Sequence, residues 1–335
     1  MAYQIWNRRY TGSKYKLASW ISELISENCI GKSFCDIFAG TAIMSKQMLE
    51  QVDEIYINDF LYSNEVIYKA FFEQQSFNLE KLEKIKNYFK NMSVSTLPSN
   101  YVSENYGGKF FSNDDSLIIG FIREYIENAK DLNNKEKNIL LASLLYSADK
   151  AANTVGHYDA YIKGKDIPDT FSFELISPYE YNDKTIHIYR KDANQLAKEI
   201  CCDIVYIDPP YNSRQYSRFY HVLENITTWR KPILFGEAKK PEAENMSEYC
   251  RNSAINVFED LILSLDCKYI VVSYNNTYDS KSSSSRNKIA LEDIKKILEK
   301  KGSVITFEKS HQFFNAGKTS LNDHKELIFI TKVGE

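Results

Sequence analysis

The chain has 335 residues, 43% of them hydrophobic and 26% charged, with a formal net charge of −3. That is ordinary for a globular protein, and the length suffices to bury roughly 75% of the unfolded surface in one large domain or somewhat more. No apolar run of about 18 residues offers a transmembrane helix, the near-neutral balance gives no global pull on polyanions, and the six cysteines show no CxxC or metal-ligand spacing.

The N-terminal stretch MAYQIWNRRYTGSK has no apolar signal core, so a cytoplasmic protein with no membrane contact is the expectation. Arg8, Arg9, Lys14 and Lys16 carry charge in the first 20 residues with no acid among them. They suit either a solvated basic terminus or a local phosphate-binding patch. Leu17, Trp20, Ile21, Leu24 and Ile25 recur at helical spacing and predict an amphipathic helix over 16–30, ended by Gly31.

Residues 33–45, SFCDIFAGTAIMS, read as a strand over 34–38, a small-residue turn Ala39-Gly40-Thr41-Ala42, and a helix continuing to Leu49. Small residues at a strand-to-helix turn let a ligand approach the backbone. A plain βα turn explains the same residues. The dinucleotide fingerprint GxGxxG is absent, because Phe38 stands where its first glycine would be. A second strand over 54–60 ends in Asn58-Asp59, and Asp59 lies 19 residues beyond Gly40. That is close to the spacing at which an acid meets ribose hydroxyls in nucleotide-binding βαβ units.

From 61 to about 184 the character changes to polar, helical sequence, broken at 93–100 and at Tyr106-Gly107-Gly108. Its strongest apolar helix spans 139–146, and a glycine-punctuated aromatic loop follows over 153–164. Residues 184–193 alternate like a third strand and end in Asp192, and a helix over 194–200 leads to the run 204–207. That run is β-branched and apolar, as a strand buried on both faces requires. Asp208 stands at its carboxyl end, where open α/β sheets place ligands. Pro209 and Pro210 stiffen the backbone there and remove two N–H donors, and Tyr211 adds a flat ring. The tetrapeptide reads equally as turn punctuation or as a seat for a planar group bearing an exocyclic amine. Beyond it come Arg214 and Arg218, a helix over 217–229, a buried strand over 267–274, and a serine-rich basic loop over 277–288. A helix over 291–300 and strands over 303–308 and 326–332 close the chain, with Lys309, His311 and Lys318 between those strands.

The series Tyr10-Thr11-Gly12-Ser13-Lys14, Asp36-Ile37-Phe38-Ala39-Gly40, Asn58-Asp59, a helical insertion and Asp208-Pro209-Pro210-Tyr211 resembles the α-group of adenine-N6 DNA methyltransferases, the Dam-like D12 class. The resemblance implies an α/β fold: a Rossmann-like S-adenosylmethionine-dependent methyltransferase sheet, mixed and of about seven strands, with an inserted, mainly helical recognition lobe. The catalytic domain would be discontinuous, 1–60 and 185–335, and 61–184 would read the target. The resemblance also implies S-adenosylmethionine as cofactor, in contact with Tyr10, Lys14, Asp36, Phe38, Gly40, Asp59, Asp192 and Asp208. It implies double-stranded DNA as partner, a flipped-out adenine as methyl acceptor, and catalysis by Asp208, Pro209, Pro210 and Tyr211. Asp208 and the Pro209 carbonyl would accept the two N6 hydrogens while Tyr211 stacks on the base. Phosphates would fall to Arg8, Arg9, Arg214, Arg218 and the loop over 281–288. Thr11 and Ser13 stand where Dam-like relatives more often carry Ala and Gly. The implied setting is restriction–modification, with any cognate restriction endonuclease acting separately, a monomeric enzyme and no metal. Methylation of RNA adenine or of cytosine N4 is the runner-up, since relatives of those kinds more often begin the tetrapeptide with Asn or Ser. A catalytically silent DNA-binding module is the reading from another class, and the acidic set Asp36, Asp59 and Asp208 speaks against it.

Overall fold

A computed structural model describes residues 2–277, 286–310 and 325–334. Most of the loop expected over 281–288, together with His311 and Lys318, lies outside the described residues. Among the described residues no helix is long and apolar enough to cross a membrane.

The chain divides into two compact units. One contains 14–60, 183–215 and 245–335 and is built on a single sheet. Its strands are β1 (Ser33–Asp36), β2 (Glu54–Asn58), β3 (Thr185–Tyr189), β4 (Cys201–Ile207), β5 (Asp266–Asn275), β6 (Gly302–Ser310) and β7 (Lys325–Val333). The spatial order is β3-β2-β1-β4-β5-β7-β6. The first five strands run parallel, and β7 lies antiparallel between β5 and β6. The expected mixed, seven-stranded α/β methyltransferase sheet is therefore present. The pattern of burial follows position in the sheet. The central strand β4 is buried along its last four residues, whereas edge strand β6 alternates and is largely exposed. Cys35, Val205, Ile207, Ile270 and Val272 from the sheet pack with Phe258, Leu261, Ile294 and Leu298 from the helices Ala254–Ser264 and Leu291–Leu298.

The other unit contains 1–13, 61–182 and 216–244 and is helical. Its long helices include Tyr62–Phe72, Leu79–Lys90, Asn113–Asn128 and Asn134–Ala151. The split departs from the expected insertion over 61–184 at two places, since 1–13 and 216–244 also pack here. The reasons are polar and specific. The helix Tyr62–Phe72 has no cap of its own, and the buried Glu224 carboxylate accepts the N–H groups of Tyr62 and Ser63 at 3.0 and 2.8 Å. The buried Arg123 guanidinium donates to the carbonyls of Ile226 and Thr227, at the end of the helix His221–Thr228. Arg9 donates to the carbonyls of Asp149, Ala152 and Thr154 at the end of Asn134–Ala151, where a cation meets the negative end of the helix dipole.

The helix expected over 217–229 is in fact two, Tyr216–Phe219 and His221–Thr228, broken at Tyr220. Tyr220 is spent on tertiary contacts: its ring stacks on Tyr10 at 5.0 Å and its hydroxyl accepts the Thr11 N–H at 2.8 Å.

Candidate active site

Four neighbouring parallel strands, β3, β2, β1 and β4, end on the same edge of the sheet and carry the acids singled out in the sequence. Asp192 follows β3, Asp59 follows β2, Asp36 closes β1 and Asp208 follows β4. The strand order reverses between β1 and β4, which is the switch point where open sheets bind ligands. Asn58 stitches these ends together. Its buried amide donates to the Ile37 and Lys191 carbonyls at 2.9 and 3.1 Å, and its oxygen accepts the Lys191 N–H at 2.9 Å. The β1, β2 and β3 ends are thereby held as one rigid rim.

The turn after β1 is shaped by backbone geometry. Gly40 and Ala42 both adopt left-handed conformations, with φ of 53° and 55°, before the helix Ile43–Met48 begins. The Gly40 N–H donates to the Asp59 carboxylate at 3.0 Å, so the glycine turn and the acid 19 residues on meet directly. Asp36 is 1% exposed. One of its oxygens, Oδ2, accepts the Ser45 N–H at 3.2 Å and the Ser45 hydroxyl at 2.7 Å, and the other, Oδ1, is buried without a hydrogen-bond partner. Burial pushes the Asp36 carboxyl up to about 7, with Ser45 pulling against it and the charges of Asp208 and Asp59 adding to the rise. A buried carboxylate oxygen with no partner fits a cationic ligand group, such as an ammonium, whose charge would meet it. Phe38 packs edge-on against Tyr249 at 5.0 Å, and Asp192 caps the helix Ala193–Leu196 by accepting the N–H groups of Asn194 and Gln195.

Beyond β4, the proline turn sets Asp208 and Tyr211 into a polar cluster. The Lys14 ammonium lies 2.9 Å from Asp208 Oδ1, 2.8 Å from the Tyr211 hydroxyl and 3.4 Å from Glu326 Oε1. The Tyr211 hydroxyl donates to Asp208 Oδ1 and lies 3.1 Å from Glu326 Oε1. Lys14 and Glu326 are buried, while the Asp208 side chain keeps 17% of its surface accessible. Burial raises the Asp208 pKa, Lys14 pulls it back and Glu326 adds to the rise. Burial works against the Lys14 ammonium, yet the charges of Asp208 and Glu326 outweigh it and raise its pKa. Tyr211, expected as a bare stacking face, packs at 4.5 Å on Tyr274 and carries the Lys14 ammonium 4.9 Å from its ring centre.

The arginines separate into two kinds. Arg8 is buried, bonded to Asn64 and placed over the rings of Tyr10 and Tyr220, and Arg9 is tied to the helix end described above. Arg8 is thus closed off from solvent, unlike the exposed phosphate-binding residue that the basic N-terminal sequence suggests, whereas the Arg9 side chain keeps 35% of its surface accessible. Arg218 donates to the Pro241 carbonyl at 2.6 Å and is half-buried. Arg214, also half-buried, follows the proline turn, its N–H bonded to Asn212 Oδ1 at 3.1 Å. Tyr10 belongs to the helical unit. Glu326 escaped sequence reading: an acid opening an apolar strand looks like a solvated strand end.

The chain as a whole is similar to known proteins. Residues 10–281 match the family of D12 class N6 adenine-specific DNA methyltransferases. The type II methyltransferase M.NlaIII of Neisseria lactamica is 30% identical over 332 residues, covering 94% of this chain and 95% of that protein. The type II methyltransferase M.CviAII of Paramecium bursaria Chlorella virus 1 is 31% identical over 335 residues, covering 97% and 98%. The type II methyltransferase M.FokI of Planomicrobium okeanokoites is 32% identical over 317 residues, covering 88% of this chain and 47% of that longer protein. With its seven-stranded sheet, its rim of acids and its Asp-Pro-Pro-Tyr turn, the chain belongs to the D12 class of N6 adenine-specific DNA methyltransferases.

Proposed function

We propose that this methyltransferase modifies adenine within a specific duplex DNA sequence, as the modification partner of a separate restriction endonuclease, with S-adenosylmethionine held by the rim of β1, β2 and β3. The observation that carries the reading is the unpartnered, buried Oδ1 of Asp36 on the same strand-end rim as Asp59 and Asp208. Asp36, Phe38 and Gly40 would hold the methionine part, Asp59 the ribose and Asp192 the adenine end. When bound, S-adenosylmethionine supplies a methyl group on a sulfonium, activated for in-line attack by a nucleophile.

The chain's own residues then act on the target amine. Its lone pair is delocalised into the ring, so N6 attacks only as it becomes pyramidal and positive. The Asp208 carboxylate and the Pro209 carbonyl accept its two N–H bonds and favour that geometry, while Lys14 and Tyr211 hold Asp208 in place. N6 becomes positive as it takes the methyl group, and one of its protons would pass to the Asp208 carboxylate and on to solvent. Asp208 offers Oδ2 to the amine, since its contacts to Lys14 and Tyr211 both fall on Oδ1. Extruding the base costs a few kcal/mol. Stacking on Tyr211 would return roughly 1–3 kcal/mol of that. Reading of the target sequence falls to the helical unit, and Arg214 contributes a phosphate contact.

The test is transfer of labelled methyl from S-adenosylmethionine to duplex DNA, followed by digestion to nucleosides. Label is expected in N6-methyldeoxyadenosine, confined to sites sharing one short sequence. Label in RNA or at random adenines would overturn the reading. Asp208→Ala should fold normally and lose turnover, and near-normal turnover would remove Asp208 from the mechanism.

A further inference from the structure

We propose that Glu326 is a positioning residue for methyl transfer, one that fixes Lys14 and Tyr211 against Asp208 and leaves the cluster with a net negative charge facing the target amine. The inference rests on the reading that Asp208 receives the amine.

Glu326 lies at the start of β7, paired with Asn275 of β5, on the strand that runs against the parallel five. Its side chain is 5% exposed. A carboxylate so enclosed costs several kcal/mol unless it is fully partnered, so its presence in an apolar strand calls for a reason. Its Oε1 accepts the Ser273 hydroxyl at 2.6 Å and faces the Tyr211 hydroxyl at 3.1 Å and the Lys14 ammonium at 3.4 Å. One oxygen thus gathers the two groups that also touch Asp208 Oδ1.

The charges explain why an acid stands there. Lys14 alone, 2.9 Å from Asp208, would cancel the negative charge that the transition state needs beside N6. With Glu326 present, two carboxylates share one ammonium, and the cluster keeps one negative charge to oppose the positive charge that develops on the amine. A neutral residue of the same shape would fill the space and hold the hydrogen bonds but leave the cluster neutral. The ionisable groups around Asp208 are Lys14 before the first helix, Asp36 on β1, Tyr206 on β4, Tyr211 on the turn and Glu326 on β7. Only Glu326 among them touches both Lys14 and Tyr211 from across the sheet.

Glu326→Gln removes the charge and keeps the shape. The expected result is a kcat lowered about tenfold or more, with KM for DNA and cofactor affinity within about twofold. The acid limb of the kcat/KM profile should also move to lower pH, because Glu326 no longer opposes ionisation of Asp208. Glu326→Asp keeps the charge and should leave that limb near its original place while kcat falls severalfold. A wild-type kcat and an unmoved acid limb in Glu326→Gln would overturn the proposal, as would equal losses in both variants with no change in the profile. If Glu326→Gln does not fold, Glu326→Asp decides alone, and an unchanged kcat overturns the proposal. Asp208→Ala measured alongside separates the two levels. Lost turnover there with a normal Glu326→Gln removes this inference only, whereas retained turnover in Asp208→Ala removes the reading beneath it.

Discussion

Asp36 makes a quantitative demand on stability. Its carboxyl is raised from an ordinary 3.8 to about 7 because it is buried, with Asp208 and Asp59 nearby and only Ser45 bonded to it. A rise of that size corresponds to a penalty of roughly 4 kcal/mol on the charged form in the folded protein. The unfolded chain ionises Asp36 near pH 4 and the folded one near pH 7. The stability contributed by the protonated form is therefore complete below about pH 4, declines as pH rises, and is gone above about pH 7. Asp36→Asn cannot titrate, so its stability relative to wild type should climb by roughly 2 kcal/mol between pH 5 and pH 7 and level off by about pH 8. Denaturant unfolding of both proteins across pH 5–8, followed by circular dichroism, reads that difference directly, and titrating groups remote from Asp36 cancel in it. The absolute stability of the variant is less informative, because its amide nitrogen inherits the unpartnered position of Oδ1. Parallel stability profiles would falsify the assignment of a buried, reluctantly ionised carboxylate. The same site should bind S-adenosylmethionine more tightly as pH rises, by up to about tenfold per pH unit until pH 7, if the cofactor's cationic group pairs with Asp36. A pH-independent Kd would break that pairing.

The arginines should divide by assay. Arg9→Ala should lower stability by about 1–2 kcal/mol through loss of its helix-end carbonyl contacts, and should leave the salt dependence of DNA binding unchanged. Arg214→Ala should do the reverse, weakening DNA binding and flattening its salt slope by roughly one unit. Equal salt slopes for Arg214→Ala and wild type would take that residue off the phosphate. Glu224→Ala strips the acceptor from one buried and one part-buried N–H group at the start of Tyr62–Phe72 and should cost roughly 1–3 kcal/mol. Thermal melts read that loss, and an unchanged melting temperature would show the helix to be capped some other way.

The sheet was legible because its strands are short, apolar and β-branched, and three of the first four end in a turn that sequence marks with an acid. Asp59, Asp192 and Asp208 stand where strand-like runs stop, most sharply at Asp208 after a strand buried on both faces, whereas Asp36 lies inside the expected strand and is implied by the family resemblance alone. The proline turn was legible for a similar reason, since Pro209 and Pro210 forbid strand and helix at one point.

Long-range contacts were not. Arg8 and Arg9 look like a free basic terminus until the carbonyls of a helix some 140 residues away are placed around Arg9. The break at Tyr220 has no mark in a helical sequence pattern, because its cause is the ring of Tyr10 and the backbone of Thr11. Glu326 reads as a solvated strand end, yet β7 runs against β5 and carries it to Lys14 and Tyr211. By itself, then, the order of residues determined the strands, the turns and the chemical types at their ends, all of which depend on neighbours a few positions away. Tertiary structure alone decided which charges are buried and what they face, because the energy of a buried charge is set by partners brought from distant parts of the chain.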